Sequence, residues 1–319
     1  MRIANPIYDV VFKYLLEDNQ IARLILSTIL GEDVIELEFR PQERVTEITE
    51  RHLTVYRLDF AATIRNSRNE YRQVLIEIQK AKFEADIMRF RRYLGTQYRD
   101  TNNSRMVALR KRALPIVTIY FLGHSLEYSK APVIRVSRIC EDLTTGEGLT
   151  EKEYFIESLT HDCYIIQIPH LRPERRSELD QMLRIFDQQR VHADKHILEI
   201  DEKEIPECYR PILRRLQRAI AEQKVIDAMD IEDEILEELQ DLEREKEQER
   251  VEKERERAEK EQERAAKEQA LAEKEQERAE KERERAEKEQ ALAEKEIERA
   301  EKERLLKLLR SAGLNPDDV

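Results

Sequence analysis

The chain has 319 residues, 39% of them charged, with a formal net charge of −12 and a mean hydropathy of −0.75. That length admits one large or two ordinary domains. The isolated Cys140, Cys163 and Cys208 exclude a disulfide framework or a CxxC zinc site, and no run approaches the roughly 18 apolar residues of a membrane span.

The excess charge is local. Residues 241–310 hold 25 acidic and 21 basic side chains, whereas residues 1–240 hold 42 and 36 with an ordinary apolar content. The opening Met1-Arg2-Ile3-Ala4-Asn5-Pro6 has no apolar signal region, so a cytoplasmic chain without membrane contact is expected.

Asn5-Pro6 predicts a helix start, a polar cap followed by proline at the first helical position. Val10, Val11, Tyr14 and Leu15, then Ile21, Leu24, Ile25 and Ile29, follow at helical spacing. Asp18-Asn19 is a candidate break and Gly31 the natural stop. Val34 to Phe39 alternates apolar and acidic residues like a half-buried strand, which 44–50 continue or pair with. His52 to Ile64 and Tyr71 to Gln79 are two strands rich in β-formers, joined by a polar turn at 65–70. Phe83 to Asp100 is a helix, with Ile87, Phe90, Tyr93, Leu94 and Tyr98 on its apolar face. Leu114 to Leu122 is a continuous apolar run, a strand buried on both faces. Strands at 133–137 and 164–168 and helices at 177–189 and 206–229 complete the core. This order predicts an α/β (α+β) fold with a mixed central sheet flanked by helices.

The rest of the chain repeats every seven residues. Ala258, Ala265, Ala272, Ala279, Ala286, Ala293 and Ala300 share one phase, but the second phase of a coiled-coil seam is almost wholly polar, as at Gln262, Gln269 and Gln276. Glu-before-Lys pairs at i,i+4, such as Glu249–Lys253 and Glu263–Lys267, instead support a lone helix of about 100 Å. It regains an apolar face at Leu305, Leu306, Leu308 and Leu309 and stops at Gly313. The expected organisation is a core domain over 1–190, a helical extension over 191–240, a charged heptad-repeat helix over 241–310 and a C-terminal cap over 311–319. A protein partner or self-association through 241–310 is one expected use of that helix.

The two strands at 58–64 and 71–80 each carry an acid among apolar neighbours, Asp59 and Glu77. A carboxylate there is costly unless compensated. Alternation sets Glu77 and Gln79 on one face and Lys80 on the other. If the strands pair in register, Asp59 and Glu77 with the Ile78 carbonyl offer the hard oxygen ligands that suit Mg²⁺ or Mn²⁺. The alternative is two strand-edge acids facing solvent or arginines. Residues 80–112 hold ten basic side chains against three acids in an otherwise acidic chain. Arg89, Arg92 and Tyr93 are spaced to share a helical face, and such a helix beside a metal site suits phosphate-backbone binding; a solvated, charge-balancing surface is the competing reading. His192 and His196 stand at i,i+4, but Ala193 breaks the zinc motif H-E-x-x-H.

Asp59, then Glu77-Ile78-Gln79, then Arg89 and Tyr93 resemble the PD-(D/E)XK nuclease superfamily. The nearest likeness is to its bacterial branch of recombination-promoting, transposase-related nucleases, whose opening D-x-x-F-K helix is similar to Asp9-Val10-Val11-Phe12-Lys13. The resemblance spans roughly 5–190. It implies a restriction-endonuclease-like core and a Mg²⁺- or Mn²⁺-dependent DNA endonuclease. Asp59 and Glu77 would be the metal ligands, Asp9 an outer-shell acid, and Asp59, Glu77 and Gln79 the catalytic set. Arg89, Arg92 and Tyr93, with Lys80 and Lys82, would bind DNA phosphate. Gln79 stands where the superfamily has lysine, in the E-x-Q form of this branch. Glutamine can hydrogen-bond a water or a phosphate oxygen but carries no charge and takes no proton. The alternative is a catalytically degenerate nuclease fold acting as a DNA-binding or protein-interaction module.

Overall fold

A computed structural model describes residues 1–39, 42–48, 53–80, 84–107, 109–151, 153–171, 177–191 and 194–311, with the backbone alone for 42–48, 53–59, 84–86, 89, 107 and 309–311. It divides into two compact units, Met1–Glu243 and Arg244–Val319.

The first unit is a mixed α/β structure. Its opening elements are β1 (Arg2–Ala4), α1 (Asp9–Leu16), α2 (Asn19–Leu30), β2 (Val34–Phe39), β3 (Gln42–Ile48), β4 (Leu53–Asn66), β5 (Tyr71–Gln79) and α3 (Glu84–Arg99). Two hairpin strands follow, β6 (Ser104–Val107) and β7 (Arg110–Ala113), then β8 (Ile116–Leu122), β9 (Val133–Val136), β10 (Glu141–Asp142) and β11 (Glu147–Gly148). The unit closes through α4 (Tyr154–Leu159), β12 (His161–Gln167), α5 (Glu178–Leu183), β13 (Ile197–Glu199), α6 (Arg210–Ala219) and the start of α7 (Gln223–Ser311).

Six strands lie in the order β2-β4-β5-β8-β12-β9, and β3 pairs with the outer half of β4. β5, β8 and β12 are parallel neighbours, while β2, β4 and β9 run antiparallel to theirs. The parallel step from β5 to β8 requires a crossover, which α3 supplies. Apolar alternation decides which layer each strand face meets. Val74, Ile76 and Ile78 join α1, α2 and α6 in the main core, whereas Ala61, Leu75 and Ile116 pack under Phe90 and Tyr93 of α3. The apolar run of β8 is buried at six of its seven positions, as a strand covered on both faces requires.

Local chemistry sets several boundaries. Asp18 ends α1 and caps α2, accepting from the N–H groups of Gln20 and Ile21, and Gly31 closes α2 at φ 67°. Asn5 is no helix cap: α1 starts at Asp9 after Tyr8, and Tyr8 makes no side-chain cap bond. Buried Asn5 instead accepts from Ile7 N–H and from Gln188 Nε2, and donates to Lys195 O and Gln188 Oε1. The predicted helix at 206–229 is two helices parted at 220–222, where Ala221 N–H bonds back to Arg218 O. The helix predicted at 177–189 is regular only over Glu178–Leu183 before turning 3-10. On α3, Ile87 and Tyr98 are exposed, which leaves Phe90, Tyr93 and Leu94 as its packing face.

Residues 191–240, expected as a helical extension, lie in the first unit and contribute to its core. Ile3 of β1 pairs with Leu198 of β13, and Ile212, Leu213 and Leu216 of α6 are fully buried in the cluster that holds Val11 and Phe12. Among the described residues no helix is long and apolar enough to cross a membrane.

The second unit is the helical repeat, exposed at every position from 244 to 305. Lys253–Glu249, Lys260–Glu256, Lys267–Glu263, Lys281–Glu277 and Lys288–Glu284 form ion pairs at i,i+4, the spacing that brings side chains together on a helix surface. The helix runs to Ser311, and the expected stop at Gly313 with the rest of the cap at 311–319 lies outside the described residues.

Candidate functional site

β4 and β5 part where the two acids lie. Their ladder runs from Arg65↔Tyr71 to Phe60↔Ile76. One step further along each strand stand Asp59 and Glu77. Beyond that step β5 continues on β8, with Glu77 beside Tyr120 and Gln79 beside Leu122. β4 continues on β3, with Asp59 opposite Gln42. The result is a fork with one acid position on each prong. Because Ala61 and Leu75 both face α3, period-two alternation puts positions 59, 77 and 79 on that same face.

Glu77 is 6% exposed, a costly place for a carboxylate. Over its level lies the first half of α3, since the Phe90 ring packs 4.4 Å from that of Tyr120, Glu77's neighbour on β8. Gln79 is half-buried, and its carbonyl accepts from Gly123 N–H at 2.7 Å. Gly123 is needed for that approach, since a Cβ there would stand 2.5 Å from Lys80 O and 3.0 Å from Gln79 O. The Asp59 side chain lies outside the described residues. Among the described residues no three His, Cys, Asp or Glu side chains gather as metal ligands.

The expected phosphate-binding set is divided. Arg92 is exposed on α3; the Arg89 side chain and all of Lys82 lie outside the described residues. Tyr93 is 7% exposed, its ring packed in the α3 core. Lys80 is on the opposite side from Glu77, with its Nζ 3.3 Å from the centre of the Tyr8 ring and ion-paired to Asp233. The remaining basic residues of 99–112 sit at the far end of β5, where Arg105 stacks 3.7 Å over Tyr71. Fork and hairpin are therefore about 20 Å apart, six strand residues. The basic segment is not one patch, because strand and helix carry its members to different ends and faces.

Asp9 stands at the start of α1, where its N–H donates to Glu232 Oε1 at 3.2 Å. It belongs to an ionic cluster on the α1 side of the sheet. Asp233 is the hub: it accepts from Tyr8 OH at 3.0 Å and meets Lys80, Lys195 Nζ at 3.0 Å and His196 Nε2 at 2.8 Å. A carboxylate only accepts, so His196 carries a proton on Nε2. Burial works to raise the Asp233 pKa, but hydrogen bonds from Lys80, His196 and Lys195 outweigh it and hold the group below the usual carboxylate range. Burial pushes Glu232 up to about 8, with Asp9's charge adding to it. Burial also lowers Lys80 against the pull of Asp233. His196 is thus spoken for by a carboxylate, and His192 lies outside the described residues. The sequence signal for this cluster, Asp230-Ile231-Glu232-Asp233, lies in the segment expected as a helical extension and has no local pattern that points to Lys80 or His196.

The chain matches no family model, no curated protein and no solved structure.

Proposed function

We propose that this chain is a Mg²⁺- or Mn²⁺-dependent DNA endonuclease with a restriction-endonuclease-like core, related to the recombination-promoting nucleases it resembles. The observation that carries the reading is the fork: the β4–β5 ladder ends one step short of Asp59 and Glu77, and Gln79 shares their face. The donors suit the cation, since two carboxylates and the Ile78 carbonyl are hard oxygen ligands. When bound, a divalent cation lowers the pKa of water and offsets charge building on the phosphodiester. Asp59 and Glu77 hold it. Gln79 orients a water or a phosphate oxygen by hydrogen bond, and Arg89 and Arg92 on α3 engage phosphates. Tyr93 supports α3 from the core, Lys80 is committed to Asp233, and Asp9 acts at the Glu232 cluster rather than at the fork.

The test is plasmid nicking in Mg²⁺ or Mn²⁺. Wild type cleaves, while Asp59→Ala and Glu77→Ala each lose at least about a hundredfold in rate, the order expected when charge stabilisation at the reacting phosphate is removed. Equal cleavage by wild type and both variants would refute the site.

A second reading is a degenerate nuclease fold that binds DNA, or a protein partner through 241–310, without cutting. Gln79 and the engagement of Lys80 by Asp233 favour it, because the lysine that follows Gln79 is then held away from the fork. Isothermal titration with Mn²⁺ separates the two: absence of binding at millimolar metal supports the second.

A further inference from the structure

β6 and β7 pair with Arg105↔Arg112, Met106↔Lys111 and Val107↔Arg110 in register. Opposed positions on an antiparallel pair share a face, and so do residues two apart. Arg105, Arg110 and Arg112 therefore belong to one face of the hairpin and Lys111 to the other. Among the described residues none of these four makes an ion pair, whereas Arg65, Arg72 and Arg138 of the same unit each meet a carboxylate. Glu36 is held below the usual carboxylate range chiefly by its hydrogen bond from Arg65, with the charge of Arg105 a smaller contribution. Two of the arginines rest on rings: Arg105 lies 3.7 Å over Tyr71 and Arg112 5.0 Å over Tyr154. Tyr154 is fastened to the hairpin, its hydroxyl accepting from Ala113 N–H at 2.7 Å. Stacking orients a guanidinium plane and leaves its edge N–H groups for a ligand. At the tip, beside Arg110, Leu109 is 95% exposed and left-handed at φ 65°. That conformation is costly for a bulky residue, and such strain concentrates at ligand contacts.

We propose that the β6–β7 hairpin is a DNA-binding arm, with Arg105, Arg110, Lys111 and Arg112 on backbone phosphates and Leu109 in the minor groove. The ligand, duplex DNA, rests on the endonuclease reading; the arm rests on the hairpin's own side chains. Arginine forks match phosphate oxygens in a bidentate way, and an apolar side chain wedged at a base step is a recurrent minor-groove contact. An anionic lipid surface is the competing partner, but one leucine buried there contributes only about 1.5–3 kcal/mol. The spacing to the fork favours a duplex. Tyr71 and Glu77 share one sheet face six residues apart, about 20 Å, the length of about six base pairs at 3.4 Å each. DNA lying over α3, past exposed Arg92 and Arg99, reaches both ends.

The experiment is fluorescence anisotropy of a labelled DNA duplex with the full chain in Ca²⁺, at several salt concentrations. Arg110→Ala/Lys111→Ala weakens binding at least about tenfold at about 0.1 M salt and makes the log–log salt slope shallower by about 2, the value for two lost phosphate contacts. Leu109→Ser weakens binding at least about threefold and leaves the slope unchanged, because an apolar groove contact releases no counterion. Both variants keep the wild-type thermal midpoint, since all three side chains are exposed. An unchanged slope for the double variant, or wild-type affinity for Leu109→Ser, overturns the arm. So does binding to phosphatidylserine vesicles without binding to the duplex. Failure of the endonuclease reading looks different: the hairpin variants behave as expected, yet DNA is not cut in Mg²⁺. If wild type binds no duplex at all, both ideas fall.

Discussion

Asp233→Ala is expected to destabilise the first unit without touching the fork. The carboxylate is 12% exposed and holds Lys80, at 20%, against the fully buried Tyr8. Removing one partner leaves a part-buried ammonium uncompensated, which costs about 3 kcal/mol, the low end for a broken buried pair. The low end applies because Lys195, another partner, is 59% exposed. For a unit of this size about 3 kcal/mol lowers Tm by roughly 6–12 °C. The assay is calorimetry, or near-ultraviolet dichroism of the 11 tyrosines in a chain without tryptophan, since far-ultraviolet signals would be dominated by the exposed helix. Asp233→Asn reports the charge alone. Its folded pKa is depressed, so the stability it contributes is present above the usual carboxylate pKa and is lost as pH falls through the lower native value; the gap between wild type and Asp233→Asn closes in acid. In a Lys80→Met background the loss from Asp233→Asn shrinks by about 1 kcal/mol or more. A Tm shift under 1 °C for Asp233→Ala, or a loss unaffected by Lys80→Met, would refute the role given to this cluster.

Glu232 predicts the opposite pH dependence. Its native pKa is raised to about 8, so the folded chain keeps a proton that the unfolded chain releases near the ordinary glutamate value. Stability therefore falls as pH rises from about 4.5 through 8, and Glu232→Gln flattens Tm between pH 5 and pH 9. At Gly123, alanine drives a Cβ into Lys80 O and Gln79 O. Gly123→Ala costs about 2 kcal/mol, within the range for overpacking, read as a lower denaturation midpoint.

Much of the first unit was legible in the sequence because its signals are local. The β-branched runs of β4 and β5, the break at Asp18 and the stop at Gly31 act through residues a few positions away. The 220–222 turn was not legible: it has no glycine or proline, and a return hydrogen bond from Ala221 to Arg218 makes it. Asn5 was misread because a cap and a long-range hub use the same side chain; only the nearness of Gln188 and Lys195 distinguishes them. Tyr93 fits a phosphate-binding face and a core face equally well by spacing, and packing against Leu75 and Ala61 decides for the core.

Alternation alone put Glu77 and Gln79 on one face and turned Lys80 away, because the strand period depends only on backbone geometry. The charged repeat likewise declared itself, through pairs four residues apart. What only the tertiary structure decided is what meets across the sheet. The end of the β4–β5 ladder brings positions 59 and 77 to one fork, and α7 brings Asp233 to Lys80. These depend on segments distant in sequence, whose partners follow from burial and strand pairing over the whole core and from no local pattern.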